Sequence, residues 1–115
     1  MAYDLNQKNA MGWIYLILGG LFEIGWPLGL KLAQTMPYRI LWIVFSAISM
    51  AISGWFLYTA QKTIPIGTAY VVWTGIGAVG TLILGILLFH DSASVWRLLS
   101  ASLIVLGIIG LKVLS

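Results

Sequence analysis

No cysteine occurs in the chain, which excludes disulfides, thiolate nucleophiles and thiolate metal sites. A single histidine leaves little from which to build an imidazole metal centre. Charge is scarce: Asp, Glu, Lys and Arg make up 8% of the 115 residues, against roughly a quarter in soluble domains. The six Lys and Arg stand singly, so the net charge of +3 does not form a basic patch and no nucleic-acid partner is expected. Acids are rarer still, with only Asp4, Glu23 and Asp91. No nucleophile–base pair, metal cluster or cofactor motif can be assembled, so the chain is not expected to be an enzyme or to carry a cofactor.

What is present is apolar surface. Hydrophobic residues are 61% of the chain and the mean hydropathy is +1.02, which places it among integral membrane proteins. Charges and prolines divide it into four apolar segments, at about 11–32, 39–60, 66–89 and 95–114. Each is long enough to cross a hydrocarbon layer of about 30 Å at about 1.5 Å per residue. The connections, 33–38 with Pro37, 61–65 and 90–94, are short enough to make neighbouring helices antiparallel. The expected fold is an all-α membrane protein, one four-helix transmembrane domain over residues 1–115. A soluble bundle would need polar helix faces, which are lacking. The polar stretch before Met11 is followed by an apolar run without a small-residue cleavage pattern, so that run is read as a retained helix.

Four spans put the N-terminus, second loop and C-terminus on one side with Lys8, Lys62 and Lys112, against Lys31, Arg39 and Arg97 on the other. The positive-inside rule needs a bias to orient a chain, and here the count is balanced. Insertion in both orientations is therefore expected, giving an antiparallel homodimer like the inverted repeats of larger transporters. The alternative is that Asp4, Asp91 or individual flanking charges select one orientation. On the fourth span Ser100, Gly107 and Gly110 form a small-residue face, suited either to contact with a second copy or to packing within the subunit.

Glu23 is the most informative residue. It lies near the middle of the first apolar segment, with no basic residue within seven positions. A charge at membrane depth costs roughly 3 kcal/mol on insertion scales, and such a residue is by default a proton or cation site. Gly19, Gly20, Trp26 and Pro27 share its helix face at spacings of three and four. The glycines leave space, and Trp26 offers a flat wall and an indole donor. Pro27 is expected to kink the helix and free the Glu23 carbonyl to accept donors from a substrate; the alternative is a bend that serves packing alone. Ser46, Ser49 and Ser53 form a hydroxyl stripe on the second span. It is read either as a face toward the polar site or as hydroxyls bonded to their own helix carbonyls.

The third span carries Tyr70, Trp73, Gly77 and Gly80 on one stripe, read as a site wall beside a closely packed segment, or as ordinary aromatic packing. Gly75, Gly77 and Gly80 also spell GxGxxG, but no βαβ unit surrounds them, so the dinucleotide reading is rejected. His90 and Asp91 are read as solvated residues at the end of the span, and Lys31 and Lys112 as snorkelling to headgroups.

Three stretches, FEIGWPLGLK, KTIPIGTAYVVWTGIGAVG and LGIIGLK, together resemble the small multidrug resistance family, and within it the guanidinium exporter subtype. The resemblance spans nearly the whole chain beyond its first ten residues. It implies an antiparallel, dual-topology homodimer in the bacterial inner membrane that exchanges protons for organic cations. It assigns proton and substrate binding to Glu23, lining or support of that site to Gly20, Trp26, Ser53, Tyr70 and Trp73, and dimer contacts to Ser100, Leu103, Ile104 and Gly107. The chain departs from the family pattern at Pro27, which replaces a small residue. It departs also at the first loop, LAQTMPYRI, which lacks the usual glycine–phenylalanine turn, and in its longer N-terminus.

The expected function is thus a proton-coupled antiporter that exports guanidinium and small substituted guanidines, proton and substrate competing for Glu23. Burial favours the neutral form of a carboxyl group and a nearby cation favours the charged form, which is what makes the two guests exclusive. Two alternatives remain open. One is a quaternary ammonium or hydrophobic-cation multidrug exporter, whose guests carry no N–H and depend on aromatic faces. The other is a membrane assembly subunit that transports nothing and has no need of Glu23.

Overall fold

The computed structural model describes residues 2–114, with side-chain surroundings from residue 9 onward. It contains four helices: α1 (Ala2–Thr35), α2 (Arg39–Ala60), α3 (Ile66–Phe89) and α4 (Val95–Leu114). No strand occurs among the described residues. α1 starts upstream of the apolar segment expected from Met11 and runs past Leu32; its membrane-crossing part is Asn9–Thr35. The first connection therefore shrinks to residues 36–38, where Tyr38 takes a left-handed conformation (φ 66°, ψ 49°) before α2 begins. His90 does the same at the end of α3 (φ 59°), and the Asp91 amide donates back to the Gly85 carbonyl at 3.0 Å.

All four helices are long and apolar enough to cross a membrane. Their large side chains mostly point outward, and a lipid solvent tolerates this because the helices satisfy their own backbone groups. What is buried is small. Leu16, Ala60, Ile64, Ala69 and Val72 form a compact cluster where α1, the second loop and α3 meet. At the same end the Lys112 ammonium lies 4.9 Å from the Trp13 ring centroid, a cation–π contact suited to the membrane boundary.

α1 and α2 share the closest seam. Ser46, Ser49 and Ser53 are all buried, and they face α1, where glycines receive them. A Cβ on Gly25 would lie 2.7 Å from Ser49 Oγ, and one on Gly29 would run into Ser46 and Phe45. The serine stripe is thus chiefly a packing surface, and only its last member reaches the polar site.

α4 is the least enclosed element, with no buried residue. It leans on α3, where Ile104 and Ile108 close over Gly75. Among the described residues nothing lies within 4 Å of where a Cβ on Gly107 or Gly110 would be, so these glycines are not used for packing against them. Leu103 is 70% exposed beside them, and Ser100 donates to its own helix at the Trp96 carbonyl, 2.8 Å away. Ile104 is divided, touching α3 on one side and open on the other.

Candidate functional site

The site is built around Glu23, half-buried on α1. Its two oxygens are held separately. One turn along the same helix, Trp26 donates its indole N–H to Oε1 at 2.7 Å. From α2, the Ser53 hydroxyl stands 3.1 Å from Oε2. Behind it, Trp73 of α3 donates its indole N–H to Ser53 Oγ at 2.8 Å. Three helices therefore contribute to one chain of hydrogen bonds ending on a carboxylate, and no basic side chain pairs with that carboxylate among the described residues.

Glycines decide how closely the backbones come. Gly77 of α3 abuts the acid itself: a Cβ there would lie 2.6 Å from Glu23 Cγ. Gly20 lets α1 close on α3, its missing Cβ falling 2.7 Å from Ile76 Cβ. Gly80 makes room for Ile24, whose Cγ1 would lie 2.7 Å from an added Cβ. The three glycines of the GxGxxG segment each receive a neighbouring side chain: Gly75 that of Ile108, Gly77 that of Glu23, Gly80 that of Ile24.

Tyr70 stands further out on the same stripe. Its ring centroid is 5.6 Å from that of Trp73, and the ring is exposed. α1 continues as helix through Pro27. The side chain that comes to this stretch is Ser46, and its hydroxyl donates to the Trp26 carbonyl at 2.8 Å, three residues beyond the Glu23 carbonyl that the proline deprives of a donor.

Glu23, Trp26, Ser53 and Trp73 are thus brought into one network, Tyr70 extends it by ring contact, and Gly20 and Pro27 act on the backbone around it. Two contacts are not visible in the sequence. The stripe spacing places Gly77 on the site wall but does not show its contact to the acid. The Gly19 carbonyl, which lies 2.7 Å from Ser53 Oγ, is a backbone group and leaves no residue-type signal.

Chemically, the arrangement fixes the plane of a carboxylate without neutralising it. A carboxylate has about four lone-pair positions, and Trp26 and Ser53 use one on each oxygen. By count one on each oxygen is left, and a carboxylate is a group that can accept paired N–H donors from a planar cation.

A family model described as Small Multidrug Resistance protein matches residues 11–104. The chain is also similar to a guanidinium exporter of Yersinia pseudotuberculosis, with 50% identity over 105 residues, 91% of this chain and all of the relative. A guanidinium exporter of Salmonella typhimurium is 52% identical over 105 residues, covering 89% of this chain and 96% of the relative. One from Proteus vulgaris is 49% identical over 105 residues, 91% of this chain and its own full length.

Proposed function

The chain belongs to the small multidrug resistance family of multi-pass bacterial inner-membrane proteins, and we propose that it is a guanidinium exporter that takes up a proton for the cation it releases. The observation that carries this is the Glu23 carboxylate, held by one hydrogen bond on each oxygen from Trp26 and Ser53, with no basic partner among the described residues. The names of its relatives point to the same cargo.

Guanidinium offers paired N–H donors in one plane, which a carboxylate can accept together. A proton and a guanidinium ion neutralise the same carboxylate, so only one is held at a time. A site loaded with either guest is electrically neutral and crosses between the two faces of the membrane; the bare carboxylate does not. Export follows from the proton gradient. Two copies in opposite orientations, joined through the open face of α4 at Ser100, Leu103, Ile104 and Gly107, provide a pathway that alternates between the two sides. Trp26, Ser53, Tyr70 and Trp73 bound the guest, and Trp73 does so by steadying Ser53.

Quaternary ammonium ions have no N–H and would leave the free carboxylate positions unmatched. In proteoliposomes, a guanidinium gradient is expected to drive counter-movement of protons, tetraethylammonium is expected to drive little, and Glu23→Gln is expected to abolish the exchange. Proton-coupled guanidinium flux in the Glu23→Gln variant would refute the proposal. Preference for tetraethylammonium would favour the multidrug reading, and no flux of either cation would favour a subunit that transports nothing.

A further inference from the structure

Ser53 is fully buried and has a single hydroxyl proton, yet two acceptors stand within its reach. The Gly19 carbonyl oxygen lies 2.7 Å from Oγ and Glu23 Oε2 lies 3.1 Å away. Its third neighbour, the Trp73 indole N–H, is only a donor and occupies a lone pair of Oγ in every state. The hydroxyl proton therefore serves one of the two acceptors at a time.

We propose that the Gly19 carbonyl reports the protonation of Glu23 through Ser53. The hydroxyl bonds to Gly19 when the acid carries its proton and turns to Oε2 when the acid is ionised. This rests on the reading of Glu23 as the shared proton and guanidinium site.

Donor counting gives the two arrangements. A protonated Oε2 donates to Ser53 Oγ. That oxygen then accepts from both Glu23 and Trp73, its lone pairs are filled, and its own proton goes to Gly19. An ionised Oε2 can only accept, and a hydrogen bond to a charged acceptor is about twice as strong as a neutral one, so the hydroxyl proton is drawn from the carbonyl. Gly19 is not orphaned by the loss, because a helical carbonyl keeps its bond from the amide four residues on.

Bound guanidinium leaves the carboxylate an acceptor, so Ser53 stays turned toward it. The proton-loaded and cation-loaded sites thus carry the same net charge but differ in hydrogen bonding at Gly19. The difference falls where α1 and α2 press together, since a Cβ on Gly19 would lie 3.0 Å from Phe56 Cβ and 3.3 Å from the Ser53 carbonyl oxygen. Few other groups titrate nearby. α1 brings Tyr15, stacked on Phe56, and Lys31, two turns beyond Glu23; α3 brings Tyr70 beyond Trp73; α2 has no acid or base between Arg39 and Tyr58.

The sequence makes the test direct. Gly19–Gly20 is the only Gly–Gly peptide in the chain, so protein labelled with [1-13C,15N]glycine gives a single carbonyl signal coupled to a labelled amide. In the full-length protein in lipid bicelles, this signal is expected to move downfield as pH falls and the carbonyl gains its bond. Saturating guanidinium chloride at high pH is expected to leave it at the ionised position. Glu23→Gln presents an NH2 donor to Ser53 Oγ and is expected to hold the signal at its downfield position at every pH. Ser53→Ala is expected to abolish the pH-dependent movement, and Ser53→Thr, which keeps the hydroxyl, to retain it.

A wild-type signal indifferent to pH overturns the inference, as does the same movement persisting in Ser53→Ala. Should Ser53→Ala fail to fold, the wild-type titration and Glu23→Gln decide alone. Calorimetry on the same samples separates this from the functional reading. Glu23-dependent guanidinium binding with a stationary Gly19 signal overturns the Ser53 relay only. Absent binding with a Ser53-dependent movement overturns guanidinium recognition and supports the relay.

Discussion

Glu23 is held by hydrogen-bond donors, with no counter-charge beside it among the described residues, so its placement depends on small tolerances around it. Gly77 is the tightest of these, for a Cβ there would sit 2.6 Å from Glu23 Cγ. In Gly77→Ala the carboxylate has to move away from Trp26 and Ser53. A hydrogen bond to a charged group is worth about 1.5–3 kcal/mol, so guanidinium affinity is expected to fall at least about tenfold. Calorimetry measures this, with circular dichroism confirming intact helices; unchanged affinity would mean that the acid adapts without cost. The acid and Trp26 were legible because they lie three apart on one helix, where spacing alone makes them neighbours. Ser53 and Trp73 come from other helices: periodicity put each on a candidate face, and family resemblance singled them out from their neighbours there. The contact of Gly77 with the acid and the role of the Gly19 carbonyl went unread because contact across helices depends on register, which residue types do not encode.

The helices are a different matter. That the chain is four apolar helices was plain from where its few charges and prolines fall. Element ends were less so, since α1 absorbs polar residues at its start and runs to Thr35, leaving a turn too short for a relaxed backbone. Tyr38 pays for that economy with a left-handed conformation, where the family commonly uses glycine–phenylalanine. A non-glycine residue there costs roughly 1–2 kcal/mol, partly offset by the greater unfolded-state freedom of glycine. Tyr38→Gly is therefore expected to stabilise the protein by about 0.5–1 kcal/mol, read as a later midpoint in an SDS unfolding titration; an earlier midpoint would show that the Tyr38 ring contributes more than its backbone costs. The serine stripe of α2 was legible as a stripe, yet its partner was not. It meets the glycines of α1, and the polar site receives only Ser53.

Over the whole molecule, enclosure is uneven: α1 and α2 interlock, while α4 has no buried residue and two glycines facing open space. The balanced Lys and Arg count and this open face agree with paired copies in opposite orientations. The lack of cysteine makes the orientation measurable without background. With Ser94→Cys in the third loop, a membrane-impermeant thiol reagent is expected to label about half of the protein from outside intact cells and the remainder after permeabilisation; labelling confined to one side would exclude dual insertion. The seam between α1 and α2 carries a last consequence. Gly25 and Ser49 share one fixed allotment of volume, and Gly29 shares its own with Ser46, Phe45 and the Trp42 carbonyl. A side chain added at Gly25 is expected to need a smaller residue at Ser49, whereas Gly29 is also closed by backbone, so the first of these sites is expected to drift as a couple and the second to stay fixed.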